Sequence, residues 1–246
     1  MPEMSVYNEL AVYYEQLDRA DRDGAREAGV VEDVLLERIG SGSLSVLDVG
    51  CGVGTHLRHM ETDFECVGLD VNEGVVEVAN ERTDDATVLR GDMHALPFTD
   101  AFDCITMLFH TLAYAASVDD MHGILRECYD ALDSGGILVV ELAPFVPEAM
   151  PDDAGVDREV RTYTDDDVTI TSVQVSRVED RDLVLNSDYL VALTGEATAT
   201  HHADTHTLML FTVDEVIDGL AAAGFESVEF DPTCLQSGLF VAEKPA

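Results

Sequence analysis

The sequence predicts an α/β protein, a parallel sheet with helices on both faces into which an antiparallel β lobe is inserted. Three observations carry this reading. From Leu44 onward short β-branched runs alternate with helical stretches; from about residue 158 to 211 apolar residues recur at every second position; after Asp214 the helix-and-strand alternation returns. A chain of 246 residues can hold one large domain with a sizeable insertion. The expected division is therefore N-terminal helices at 1–40 that cap a site, a core at 41–150 and 212–246, and an inserted lobe at 151–211.

Taken in order, Val6, Leu10, Tyr13 and Leu17 recur at helical spacing, and Val30, Val31, Val34, Leu35 and Ile39 form a second stripe before Gly40-Ser41-Gly42. The first strand is SVLDV, followed by a helix through Leu57. Next come ECVGLD, a helix from Gly74 to Glu81, and TVLR; then FDCITML, a helix from Met121 to Leu132, and GILVVEL. Beyond Pro144 the alternation stops. The segments VTITSVQVSRV, LVLNSDYLVAL and ATATHHADTHTLMLF have the two-residue period of half-buried strands. Asp165-Asp166-Asp167, Glu179-Asp180 and Thr194-Gly195 supply the turns. A helix from Asp214 to Ala223, closed by Gly224, and the strands SVEF and GLFVAE complete the core.

The 50 acidic residues against 13 basic ones give a formal charge of -37, while 46% of the residues are hydrophobic. The carboxylates must therefore coat a folded surface. Such a surface repels itself in dilute buffer, and the repulsion fades as the Debye length shrinks to about 3 Å in molar salt. The expectation is a halophilic protein. With no basic stripe to displace phosphate counterions, nucleic-acid and anionic-membrane binding are disfavoured. The five cysteines are scattered and never spaced C-x-x-C, which indicates neither a disulfide framework nor a zinc site. MPEMSVYNEL lacks the basic and apolar regions of an export signal, and no 18-residue apolar run occurs, so a soluble cytoplasmic protein is expected.

The segment from Val46 to Thr55 is a strand running into three alternate glycines, Gly50, Gly52 and Gly54, that are expected to open a helix and let a ligand approach the backbone. The spacing does not complete the G-x-G-x-x-G fingerprint of dinucleotide folds, and no Gly-Lys-Ser/Thr follows. Asp48, just before the turn, would repel a pyrophosphate but can accept from an ammonium group. Asp70 closes the second strand, where a carboxylate can accept both hydroxyls of a ribose. Asp92 follows the third strand and can accept from an adenine amino group, with Met93 packing on the ring. Met107 and Leu108 end the fourth strand, where ordinary core packing explains them as well as contact with a ligand does. His201, His202 and His206 lack an acid geometry for metal and are read as pocket residues, His202 and His206 sharing one strand face. Asp100, Asp119, Asp120, Asp152 and Asp153 are read as solvated surface.

These motifs resemble the class I S-adenosylmethionine-dependent methyltransferases. D-V-G-C-G-V-G-T at 48 to 55 is similar to their first motif, Asp70 to the ribose-binding acid, and Gly91-Asp92-Met93 to the adenine-binding motif. The resemblance implies a Rossmann-like seven-stranded sheet of order 3-2-1-4-5-7-6, its last strand antiparallel. It implies S-adenosyl-L-methionine as cofactor, S-adenosyl-L-homocysteine as product, and cofactor contacts at Asp48, Gly50, Cys51, Gly52 and Gly54. Asp70, Val71, Asp92, Met93 and Met107 complete that set.

A narrower resemblance, to N,N-dimethyltransferases of nucleotide-linked deoxyaminosugars, rests on G-T-H-L-R-H at 54 to 59, V-T-I-T-S-V-Q-V-S at 168 to 176, the His201-His202 pair before T-L-M-L-F, and G-L-F-V at 238 to 241. It implies a small-molecule acceptor, an amine before a hydroxyl, in a pocket walled by the inserted sheet and including His201 and His202; that sheet can also mediate a homodimer. Tyr14 in Tyr14-Glu15-Gln16-Leu17 is similar to a tyrosine that reaches the active site. After the fourth strand, where those enzymes carry a histidine, Tyr114 stands at that position and His110 four residues earlier. Tyr14, His110 and Tyr114 are the catalytic candidates. The alternatives are an RNA or protein methyltransferase, although Leu108-Phe109-His110-Thr111 lacks the Asn/Asp-Pro-Pro-aromatic turn of base methylation, and a cofactor-binding subunit without turnover.

Overall fold

A computed structural model of the chain describes residues 5–18, 23–142 and 156–246. The expected 150/151 boundary, the side chain of Leu17, and Asp152 and Asp153 lie outside the described residues.

The sheet is built around β1 (Ser45–Val49), flanked by β2 (Glu65–Asp70) and β4 (Phe102–Met107). β3 (Thr87–Arg90) pairs with β2, β5 (Leu132–Glu141) with β4, β11 (Leu239–Glu243) with β5, and β10 (Glu226–Asp231) with β11. Counted among its own seven strands the order is 3-2-1-4-5-7-6, as the resemblance implies, with only β11 running against the others. The central strands read as near-continuous apolar runs because both their faces are covered. Alternate residues serve opposite layers: Val46, Cys104 and Val139 pack under α2 (Gly24–Arg38), α3 (Leu57–Met60) and α4 (Glu73–Arg82), while Leu47, Ile105 and Val140 pack under α5 (Val118–Ala131) and α6 (Val213–Ala223). Local chemistry fixes the helix ends. Ser117 caps α5, Thr212 and Glu215 form a reciprocal capping box on α6, and Gly224 ends α6 at φ 109°.

The inserted lobe is a four-stranded meander, β6 (Asp157–Thr164), β7 (Val168–Glu179), β8 (Asp182–Leu193) and β9 (Thr200–Met209). Its first turn forms because the Asp165 carboxylate accepts the N–H groups of Asp167 and Val168. Arg181, in the β7–β8 turn, ties the lobe to the core by pairing with Glu215 and donating to the Leu210 carbonyl. The N-terminal segment joins the two parts again. Val6 N–H donates to Asp204 of β9, Gly74 N–H of α4 donates to the Asn8 side chain, and Val6 and Leu10 pack on Val168, Ile170 and Val191.

Two elements depart from expectation. Gly50, Gly52 and Gly54 all take positive φ (72°, 53° and 75°), which is incompatible with a helix, so α3 begins only at Leu57 and spans four residues. The leading stripe splits into a 3-10 turn at Ser5–Tyr7 and α1 (Ala11–Asp18), the Asn8 side chain between them being committed to Gly74. Lys244, the single lysine, is also held: its Nζ donates to Asp100 and to the carbonyls of Tyr129 and Leu132, and lies 4.8 Å from the Tyr129 ring centre. No helix among the described residues is long and apolar enough to cross a membrane.

Candidate active site

A cleft of about 1070 Å³ opens at the carboxyl ends of β1 to β4, where open α/β sheets bind ligands. Its floor is the turn after β1. Gly50 and Cys51 N–H both donate to the Leu69 carbonyl, fastening the turn to β2. At Gly52 a Cβ would meet nothing within 4 Å, so this backbone faces open cleft; at Gly50 it would stand 2.5 Å from the Thr111 side chain. Gly54 serves a different purpose. It does not line the cleft, and a Cβ there would press on Ala79 of α4 at 3.3 Å.

Asp48 is 1% exposed. Its Oδ1 accepts from Thr106 Oγ1 at 2.7 Å, while its buried Oδ2 has no partner among the described residues. Burial raises the Asp48 carboxyl above its usual range, against the lowering influence of His56 and Thr106. An orphaned carboxylate oxygen on a cleft wall is a place for a cationic donor from a ligand. Asp70 is also buried and likewise raised by burial. Its Oδ2 accepts from Gly52 N–H (3.1 Å) and its Oδ1 from Asn72 N–H (2.9 Å), which aims the carboxylate across the turn; Val71 lines the cleft beside it. Asp92 and Met93 line the far end. Asp92 Oδ1 lies 2.6 Å from His94 Nδ1, and His94 Nε2 lies 3.2 Å from Asp120, so burial's lowering of the His94 pKa is outweighed by two carboxylates that raise it. Asp120, expected as plain surface, is thus part of the cleft rim.

The other wall is the turn after β4. Phe109 and His110 have consecutive positive φ of 51° and 61°, a costly conformation for side-chain-bearing residues. Glu141 holds it, accepting Phe109 N–H on its carboxylate (2.9 Å) and His110 N–H on its carbonyl. The kink carries the chain into the 3-10 turn Thr111–Tyr114 and delivers Tyr114 to the cleft. Tyr114 Oη lies 2.9 Å from Tyr7 Oη and 2.8 Å from His206 Nδ1, and burial pushes its pKa up to about 12. A second cavity of about 200 Å³ lies behind it, against the inner face of the lobe; the two cavities meet at Tyr7, Tyr14, Phe109 and Tyr114.

Of the expected catalytic group, Tyr14 and Tyr114 thus come together, Tyr14 packing at 5.3 Å on Tyr7, whereas His110 lines only the second cavity with its Nε2 3.2 Å from Ser237 Oγ. Three placements correct the expectations. Met107 is fully buried toward α5, its sulfur 3.9 Å from that of Cys128, because strand alternation turns the next residue, Leu108, to the cleft instead. His201 lies on the outer face of the lobe against Asp188 (2.7 Å), and His202 is drawn to Glu9 (2.9 Å); neither lines either of these two cavities. His206, on the same strand face as His202, is the histidine that reaches the site. Sequence reasoning also missed Tyr7, which stands outside any helical period, and His56, a cleft-wall residue paired at 2.8 Å with the buried Glu27 behind it. Among the described residues no group of three His, Cys, Asp or Glu is arranged to hold a metal ion.

Residues 46–136 match the family described as a methyltransferase domain. Over 223 residues, 89% of this chain and 91% of the relative, the sequence is 31% identical to the dTDP-3-amino-3,4,6-trideoxy-alpha-D-glucopyranose N,N-dimethyltransferase of Streptomyces venezuelae. It is 31% identical over 244 residues, 96% of this chain and 94% of the relative, to the dTDP-4-amino-2,3,4,6-tetradeoxy-D-glucose N,N-dimethyltransferase of Saccharopolyspora spinosa. The crystal structure of Streptomyces venezuelae DesVI is similar across 97% of this chain and 99% of that one, with a TM-score of 0.82 and 30% identity. A SAM-bound amino pentose methyltransferase from Micromonospora echinaspora is similar across 95% of this chain and 96% of its own, with a TM-score of 0.78 and 26% identity.

Proposed function

The chain belongs to the class I S-adenosylmethionine-dependent methyltransferases, and from that premise we propose that it methylates the amino group of a nucleotide-linked amino sugar. The observation that carries the reading is the junction of the two cavities. A large cleft of about 1070 Å³ with an orphaned carboxylate oxygen, roomy enough for cofactor and acceptor together, is bounded at Tyr7, Tyr14 and Tyr114 by a smaller chamber on the lobe side. Two relatives similar over nearly their full length methylate sugar amines by name.

The cofactor supplies a methyl group already activated on a sulfonium. In our assignment Asp48 would hold its ammonium group, Asp70 its ribose hydroxyls, and Asp92 with Met93 its adenine, while Gly50, Cys51 and Gly52 would present backbone to it. The protein's remaining task is to hold a neutral amine in line and exclude water, a positioning effect worth on the order of 7–11 kcal/mol. The N-terminal segment, bonded to both lobe and core, is the cap that does the excluding. The acidic cleft concentrates a cationic amine but also raises its pKa, so a route for the departing proton is needed.

We further assign the outer face of the lobe to a homodimer. Val160 opposes Val173 there, with Leu190 and threonines around them and the one neighbouring carboxylate, Asp188, set against His201, so that two copies can meet on a chain of charge -37 without strong repulsion. A cytoplasm of high ionic strength is the setting that screens the rest.

S-adenosylhomocysteine release in molar KCl, against matched amines, alcohols and dTDP-linked amino sugars with mass spectrometry of the products, tests the function. Methylated amino sugar is expected. Methylation of hydroxyls alone would overturn the amine assignment, and cofactor binding with no product from any acceptor would favour a non-catalytic subunit.

A further inference from the structure

Each C–N bond formed in N-methylation leaves one proton to be removed from the nitrogen, and the cleft's carboxylates are committed elsewhere. Asp70 accepts from Gly52 and Asn72, Asp92 and Asp120 from His94, Asp23 from the Arg26 N–H, Glu73 pairs with Arg90, and Asp48 is assigned to the cofactor. Tyr114 is the ionisable side chain shared by both cavities that also bonds to a histidine, and His206 lines only the second cavity. We propose that Tyr114 and His206 form a proton relay that carries this proton out of the cleft into the second cavity; the proposal rests on the N-methylation reading above.

The hydrogen-bond polarity follows from the donors available. His206 is 6% exposed, and burial lowers its pKa against the raising effect of Asp204, so at neutral pH the ring is uncharged and has one accepting nitrogen. With Nδ1 accepting, Tyr114 donates its O–H to His206, and Tyr7 must then donate to the Tyr114 oxygen. One lone pair of Tyr114 stays available to the acceptor's N–H. As the amine lone pair forms the C–N bond, the C–S pair remains on sulfur as a neutral thioether and the nitrogen becomes an ammonium. Its proton passes to Tyr114 Oη while the Tyr114 proton passes to His206 Nδ1. The imidazolium then gives up the Nε2 proton to the second cavity and through it to water, leaving the Nδ1–H tautomer; exchange with that water, one proton gained at Nε2 and one lost from Nδ1 when the Tyr114 contact opens, restores the starting tautomer with no net proton change. A free tyrosinate, which a pKa of about 12 disfavours, is never needed.

The charged groups around His206 fit a transient cation. Asp204 lies on its own strand, and Glu159 and Arg161 of β6 line the same cavity as an ion pair at 2.8 Å. The other titratable side chains lining that cavity are Tyr7, Tyr14, Tyr189 and His110, the last with its Nε2 held at Ser237. His206 acts through Tyr114 and is a positioning residue in this scheme; Tyr114 is the group that touches the acceptor.

The test uses the full chain in molar KCl. In the first arm, nitrogen NMR of the wild-type imidazole is expected to give His206 as the neutral Nε2–H form at pH 7, changing on Tyr114→Phe; a charged ring, or a proton resident on Nδ1, overturns the relay. In the second arm, dTDP-3-amino-3,6-dideoxyglucose is the acceptor. His206→Asn keeps an acceptor for Tyr114 but cannot hold the proton, so kcat is expected to fall about a hundredfold at pH 7. The acid limb of the wild-type pH profile should vanish with it, and acceptor KM and S-adenosylhomocysteine affinity should stay near wild type. An unaltered kcat–pH profile in His206→Asn overturns the relay even though the enzyme methylates. Absence of amine methylation in the wild-type protein is the distinct signature that the function itself is wrong.

Discussion

Asp48 is expensive to keep ionised in the unliganded protein, because one of its oxygens is buried without a partner. A carboxyl whose folded pKa is raised favours folding below its unfolded pKa and loses that contribution as pH rises through the folded value. At neutral pH the charge therefore opposes folding. Asp48→Asn is expected to raise the apo Tm at pH 7, by about 2–4 °C for each kcal/mol relieved, with the gain shrinking as pH falls into the ordinary carboxylate range. The same variant should bind S-adenosylhomocysteine roughly ten- to a hundredfold more weakly, the cost of about 1.5–3 kcal/mol for a lost charged hydrogen bond. Calorimetry of the apo protein and ligand titration read the two halves separately. Asp70→Ala and Gly52→Val should each lower cofactor affinity by at least about a hundredfold while the chain still folds, the first by removing a doubly bonded carboxylate and the second by placing a branched Cβ at φ 53° in open cleft. Circular dichroism with the same titration decides it, since undiminished affinity in both would remove the cofactor assignment. Asp48, Asp70 and Gly52 could be found in the sequence because a glycine turn at a strand end states its own location. His206 could not be separated from His201 and His202, because alternation gives the face of a strand but not the point along it that meets another element. Tyr7, in a 3-10 turn, has no period to betray it.

Among the elements, the N-terminal segment is the one whose docking on α4 depends on a missing side chain. A Cβ on Gly74 would stand 2.5 Å from the Asn8 Cα, and Gly74 N–H is what Asn8 accepts. Gly74→Ala is expected to free the segment 5–18 from α4, seen as faster amide exchange there with the exchange of β1, β4 and β5 unchanged. A rise in acceptor KM should accompany it if this segment caps the site; unchanged exchange would mean the clash is absorbed within α4. The core strands were legible as elements because burial on both faces leaves unbroken apolar runs, and the lobe because burial on one face leaves alternation. The short α3 and the split start of the chain were not. Their boundaries depend on positive-φ glycines and on a side chain recruited by a residue 66 positions away, neither of which is a periodic signal.

At the scale of the whole molecule, a charge of -37 on a fold this size opposes compaction wherever it is unscreened. The urea midpoint is expected to be markedly higher in molar KCl than in dilute buffer; equal midpoints would sink the halophilic reading. Sheet order, too, was available from the sequence only through motif resemblance, since strand texture alone does not say which neighbours pair. The composition has one more consequence. The single lysine is 11% exposed at its side chain, its ammonium shared between a carboxylate and two carbonyls and set over a tyrosine ring. An enzyme that seeks amines thus carries almost none on its own surface to be modified in error. Amine-reactive dyes and crosslinkers should pass the folded protein by at Lys244 and find it only after unfolding, which turns that residue into a reporter of global opening in a chain otherwise blind to lysine chemistry.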